Sequence, residues 1–235
     1  MSNEKSFLID DIFDLNKRIS ENLWHVANEK DQPSNLSPHV IFPLKRDKNT
    51  VRISEQEARV ICCSLLNDLN LYYSVETPTY ETYVQKGKKP EGMSAQTDLT
   101  IFGFDGQCFR RLVNTEFKAH NTTQANITKD IEKLVREDPE GNWFHLLKNT
   151  DRGTFKALLR KFETSFLENS HGYHNTLISI VFCFCVLAKQ QAYMRHFFYE
   201  PGKKTYEEYV RQFFDPSKLK AGGEWQLSEG VRSVK

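Results

Sequence analysis

Apolar residues recur at three- and four-residue steps through residues 7–28 (Phe7, Leu8, Ile12, Phe13, Leu15, Ile19, Leu23, Trp24), which predicts an amphipathic helix. A polar stretch marked by Pro33, Pro38 and Pro43 follows, with residues 39–42 as a short edge strand. Ser54, with Glu57 three residues on, makes a capping box and opens a second helix. Its buried stripe is Ala58, Ile61, Cys62, Leu65, Leu66 and Leu69. Residues 69–76 read as a strand, and a basic glycine-containing turn, 86–92, leads to another strand at 98–103. Residues 104–107 then turn the chain back into a strand at 112–118, closing a hairpin. Thr128 is placed to cap a helix over 129–137, and residues 154–169 predict a further helix with Phe155, Leu158, Leu159, Phe162 and Phe166 on one face. Residues 176–187 form a continuous apolar run, the pattern of a strand covered on both faces. The tail from Pro216 is polar. Helix, strand, strand, strand, helix, helix, strand predicts an α/β fold, one mixed sheet flanked by helices on both faces.

A chain of 235 residues is long enough for one substantial core. The expectation is a single domain over 1–235, with an N-terminal helix and linker (1–50), a core (51–190) and a C-terminal extension (191–235). The net charge of +1 gives no global basic field, so any nucleic-acid site must be local. Cys62, Cys63, Cys108, Cys183 and Cys185 lack zinc-ligand spacing and read as reduced packing residues. With no signal peptide and no apolar run near twenty residues, a cytoplasmic location without a membrane partner is expected.

The chemistry gathers in the hairpin. Residues two apart on a strand share a face, so Glu116 and Lys118 point together and Phe117 points away. Pairing of the two strands brings Asp98 beside Glu116. Two carboxylates and an ammonium suit a hard cation and a water held near a phosphate. A Glu-x-Lys pair alone is commonly a solvated surface ion pair. Asp98, however, heads a strand that turns fully apolar, and a buried carboxylate needs a partner. A third acid is offered by Glu55, Glu57 or Glu76. Glu57 is favoured because it shares a face with Ile61 and Leu65, although it is also the capping-box acid.

A helix with acids, a strand, a strand carrying Asp98, a strand carrying Glu116-Phe117-Lys118 and then a helix resembles the PD-(D/E)XK nuclease superfamily, the restriction-endonuclease-like core. The resemblance covers about residues 54–137, with 176–187 as a later strand. Thr97 stands where many members have proline. The resemblance implies that Asp98, Glu116 and the main-chain carbonyl of Phe117 bind Mg²⁺, with Mn²⁺ as a substitute. It implies that Glu57 supports a second ion or a water, and that Lys118 orients the attacking water and offsets phosphate charge. The implied reaction is in-line hydrolysis of a phosphodiester, leaving a 5′-phosphate. DNA is favoured over RNA as substrate, in restriction, repair or antiviral defence.

Lys86, Lys88 and Lys89 of the basic turn, with Arg110, Arg111, His120 and Gln124, are the candidate nucleic-acid contacts. Lys129 and Lys133 read as a solvated helix face, and His145 has no metal-ligand pattern. Near-neutral charge weakens non-specific binding by a monomer, so a homo-oligomer or a regulatory protein partner is expected. The alternative is a silent nuclease-like domain that binds nucleic acid or assembles with protein.

Overall fold

The computed structural model describes residues 7–28, 39–45, 51–83, 95–137, 140–150, 153–203, 205–219 and 224–230. Helix α1 (Ile9–Asn28) precedes α2 (Glu55–Asp68), and both turn their apolar stripes to one face of a seven-stranded mixed sheet. The strands are β1 (Tyr72–Pro78), β2 (Gln96–Phe104), β3 (Phe109–Ala119), β4 (Glu140–Leu147), β5 (Ile178–Val186), β6 (Gln191–Tyr199) and β7 (Gln226–Glu229). They lie side by side in sequence order. Helices α3 (Gln124–Arg136), α4 (Thr154–Glu168), the short α5 (Ser170–Tyr173) and α6 (Tyr206–Phe213) complete the described helices. α3, α4 and α6 bury their apolar residues on the opposite face. The α/β class, with a mixed sheet and helices on both faces, is thus the observed architecture.

Strand direction follows from the connections. Short turns give antiparallel β2–β3 and β5–β6, the longer connections from β1 to β2 and, through α6, from β6 to β7 also join antiparallel neighbours, and the crossovers through α3 and α4 give parallel β3–β4 and β4–β5. α2, the β1–β2–β3 meander, α3 and a parallel β4 therefore follow one another in chain order. The α2 capping box forms as the sequence predicts: Ser54 and Glu57 satisfy each other's backbone N–H groups.

Several elements differ from the sequence expectation. α3 begins at Gln124, not after Thr128. Thr123 is its cap and accepts from the Asn126 N–H, while the Thr128 hydroxyl meets Ser165 of α4. Residues 39–42 form no strand; Leu44 makes a single antiparallel bridge to Val51.

β4 is a strand that the pattern did not announce. It is buried on both faces, and Asn142 and His145 find partners outside it. Asn142 exchanges amide hydrogen bonds with Asn16 of α1 at 2.8 and 3.2 Å and donates to Thr115 of β3. Gly141 sits so close to β5 that a Cβ there would lie 2.8 Å from Ile180 Cγ1. The sheet also continues through β6 and β7, and β6 buries Ala192 and Met194 on one face and Phe197 and Tyr199 on the other.

Candidate active site

Asp98 occupies a gap in the sheet. The β1–β2 register steps from Val75↔Leu99 to Thr77↔Thr97, because Glu76 takes a left-handed backbone (φ 50°). On the other side the β2–β3 ladder ends at Leu99↔Thr115. The Phe117 N–H, left without a strand partner in β2, donates to Asp98 Oδ2 at 2.8 Å. The Phe117 ring packs into the core on the α1–α2 side, as alternation requires.

Glu116 and Lys118 point to the other face, beneath α3. The Lys118 ammonium lies 3.4 Å from Asp98 Oδ2, 3.3 Å from Glu116 Oε2 and 3.0 Å from Asp130 Oδ2 of α3. Lys133, one turn further along α3, lies 2.5 Å from Glu116 Oε1 and 2.8 Å from Asp130 Oδ1, and donates to the Gln96 carbonyl at 2.8 Å. Three carboxylates thus face two ammoniums. Glu116 is fully buried, whereas the side chains of Asp98 and Lys118 keep 28% and 18% of their exposure. The Lys133 ammonium is the cation that meets Glu116 Oε1.

Burial sets the electrostatics. It raises the Glu116 pKa to about 8, with Asp130 and Asp98 adding to the rise and the two lysines opposing it. Burial works against the Lys118 charge, but Glu116, Asp130 and Asp98 outweigh it and hold the ammonium well above its ordinary value. Lys133 is shifted upward in the same way by Glu116 and Asp130. Burial also works against the Asp130 charge, and Lys118 with Lys133 reverses it, so its pKa is lowered.

β4 forms the neighbouring wall. Trp143 stands beside Glu116 and His145 beside Lys118 in the parallel register, and Lys118 Nζ lies 5.9 Å from the Trp143 ring centre. His145 is fully buried. Its Nδ1 accepts from Trp143 Nε1 at 3.3 Å, and its Nε2 lies 2.6 Å from the His120 carbonyl, which it reaches as donor. Burial, reinforced by Lys118, lowers its pKa to about 4 and keeps the ring neutral.

Other expected site residues lie elsewhere. Both Glu57 oxygens are engaged at the α2 terminus, one by the Ser54 N–H at 3.0 Å and one by Arg52 at 3.2 Å. Local capping thus accounts for Glu57, and it does not complete a three-acid cluster: among the described residues no three His, Cys, Asp or Glu side chains gather at metal-ligand spacing. Glu76 faces Arg59 of α2 at 3.6 Å. The strand ends at Ala119 and His120 adopts φ 61°, so its ring leaves the Glu116–Lys118 face and meets the Ile53 carbonyl at 2.9 Å.

The expected nucleic-acid contacts are similarly redistributed. Arg111 is a fold residue. It pairs with the fully buried Glu137 at 2.9 Å, donates to the Pro78 carbonyl and lies over the Tyr80 ring. Arg110 pairs with Asp105 at the hairpin turn. Gln124 joins α3 to α4 by donating to Ser165 and the Lys161 carbonyl. Lys86, Lys88 and Lys89 lie outside the described residues.

Asp130 and Lys133 were not anticipated, and Lys133 is no solvated face: it is almost fully buried. Asp130 had a sequence signal, since it falls inside the stripe Ile127, Ile131, Leu134 at helical spacing. All five cysteines are free, three of them buried and Cys108 exposed. No helix among the described residues is long and apolar enough to cross a membrane. Compared with protein-family models, with curated proteins and with solved structures, the chain matches none.

Proposed function

We propose that this chain is a divalent-cation-dependent nuclease of the PD-(D/E)XK type, with DNA as the first substrate to test. The observation that carries the reading is Lys118 bridging Asp98 and Glu116 where β2 and β3 part. Further support is the succession of α2, the three-stranded meander, α3 and the parallel β4.

The donor set suits Mg²⁺ or Mn²⁺. Mg²⁺ commonly takes one or two protein carboxylates and keeps its remaining positions for water and phosphate. Three carboxyl groups face two ammoniums, and burial with Asp130 and Asp98 raises the Glu116 pKa, a shortage of positive charge that a cation would relieve. Asp98 and Glu116 would hold the cation, which supplies Lewis-acid stabilisation of the phosphoryl oxygens when bound. Lys118, a compact charge at the open side of the notch, would orient the attacking water and offset charge as the phosphodiester is cleaved. The neutral His145 and the Trp143 ring exclude water from the buried side of Lys118.

A second reading is favoured by one observation. Each acid already meets an ammonium, as expected of a self-satisfied network in a nuclease-like domain used for binding or assembly. The purified chain, incubated with plasmid, single-stranded DNA and RNA plus Mg²⁺ or Mn²⁺, separates the two. Cleavage of DNA that is lost in Asp98→Ala and Lys118→Ala supports the nuclease. Absence of cleavage in every condition, or equal cleavage by the variants, defeats it.

A further inference from the structure

We propose that Asp130 of α3 is the positioning residue for Lys118, fixing its ammonium in the notch once Asp98 and Glu116 are committed to a cation; this rests on the nuclease reading above. Of the three carboxylates around Lys118, Asp130 is the nearest, at 3.0 Å, and the one that comes from a helix rather than from the strands. A dication held by Asp98 and Glu116 would draw on their oxygens and repel the ammonium. Lys118 then keeps Asp130 as its anionic anchor. A lysine side chain carries about 2 kcal/mol of rotamer entropy, so without an anchor its ammonium wanders.

Asp130 is itself braced. Its Oδ2 holds Lys118, while its Oδ1 holds Lys133 at 2.8 Å, and Lys133 is tied to Glu116 and to the Gln96 carbonyl. One buried pair on α3 thus fixes both the ammonium and the deepest acid. Docking of α3 does not require this pair. Ile127, Ile131 and Leu134 are already buried under the helix, and Arg111–Glu137 secures its C-terminal end. Buried ion pairs give little net stability over apolar residues of like volume, so a buried pair beside partly open charges points to function.

The test uses the full chain with Asp130→Asn and Asp130→Glu. Mn²⁺ affinity is measured by calorimetry, and kcat and KM on a DNA oligonucleotide. The expected result for Asp130→Asn is a kcat lowered about 100-fold, the scale of a misplaced catalytic group, with KM and Mn²⁺ affinity held within about threefold. Asp130→Glu, which keeps the charge, recovers about a tenth of the wild-type kcat. Wild-type kcat in Asp130→Asn overturns the assignment, as does loss of Mn²⁺ affinity in step with kcat. Should Asp130→Asn not fold, Asp130→Glu decides: a kcat equal to wild type overturns the proposal, and a lowered kcat at unchanged Mn²⁺ affinity supports it. A wild-type protein that binds Mn²⁺ and cleaves while Asp130→Asn does the same sinks the positioning role alone. A wild-type protein that does neither sinks the nuclease reading and this proposal together.

Discussion

The main-chain N–H of Phe117 donates to the Asp98 carboxylate at 2.8 Å, just past the point where the β2–β3 ladder stops at Leu99 and Thr115. Asp98 therefore closes the gap in the sheet with its own side chain. Its structural and chemical roles can be separated. Asp98→Ala removes the acceptor and leaves a buried N–H unpaired, at a cost of about 1–3 kcal/mol. Asp98→Asn keeps a carbonyl acceptor and stays within about 1 kcal/mol of wild type. On the nuclease reading proposed above, both variants should lose cleavage. Urea unfolding and a plasmid assay check the pair, and equal destabilisation by the two variants would contradict the gap-closing role.

Glu116 and Lys133 are both nearly inaccessible and lie 2.5 Å apart. Removing Lys133 leaves Glu116 and Asp130, both buried, to share the single ammonium of Lys118. Lys133→Met is expected to cost about 3–5 kcal/mol in a denaturant titration. The double variant Glu116→Gln with Lys133→Met should cost less than the sum of the singles, because the two side chains touch and each single change already breaks the same contact.

Arg111 makes a different prediction from the one its sequence invites. It is bound to Glu137, which also accepts from the Tyr80 and Glu81 N–H groups and from the Tyr83 hydroxyl. Arg111→Ala should destabilise the fold by about 3–5 kcal/mol. DNA affinity at a temperature where the variant is folded should change by less than about twofold, since a residue buried in an ion pair makes no phosphate contact. A large drop in affinity with unchanged stability would restore Arg111 as a nucleic-acid contact.

Local pattern carried the hairpin well. Two-residue alternation puts Glu116 and Lys118 on one face, and a turn at residues 104–107 brings Asp98 to them. Glu57 shows where local pattern offers two answers: it fits both the capping box and a core-facing stripe, and the shorter-range bond holds it. β4 was illegible because Asn142 and His145 interrupt its apolar run. Each is satisfied by a residue far away in sequence, Asn16 for one and the His120 carbonyl for the other. Lys133 was misread for the same reason. A lysine on a helix reads as solvated until Glu116, seventeen residues earlier, is known to lie against it. β6 followed a strand already complete in itself, and nothing local to residues 191–199 says that a sheet edge is waiting there.

His145 gives the fold a specific acid sensitivity. Its folded pKa, about 4, lies below its ordinary value of 6.5, so the unfolded chain binds more protons between those limits. Stability from this group is full above about pH 6.5 and is lost as pH falls toward 4. His145→Gln should flatten that part of the stability–pH curve, measured by thermal melting from pH 4 to 7. A variant with the wild-type slope would show that His145 is not the titrating group.

The central claim is that Asp98 and Glu116 form one divalent-cation site, and Mn²⁺ calorimetry on the wild type and on Glu116→Gln tests it most directly. The account predicts saturable Mn²⁺ binding by the wild type and at least about a tenfold loss of affinity when Glu116 can no longer supply a carboxylate ligand. A wild-type protein that binds no Mn²⁺, or a Glu116→Gln variant that binds it equally well, would contradict the account.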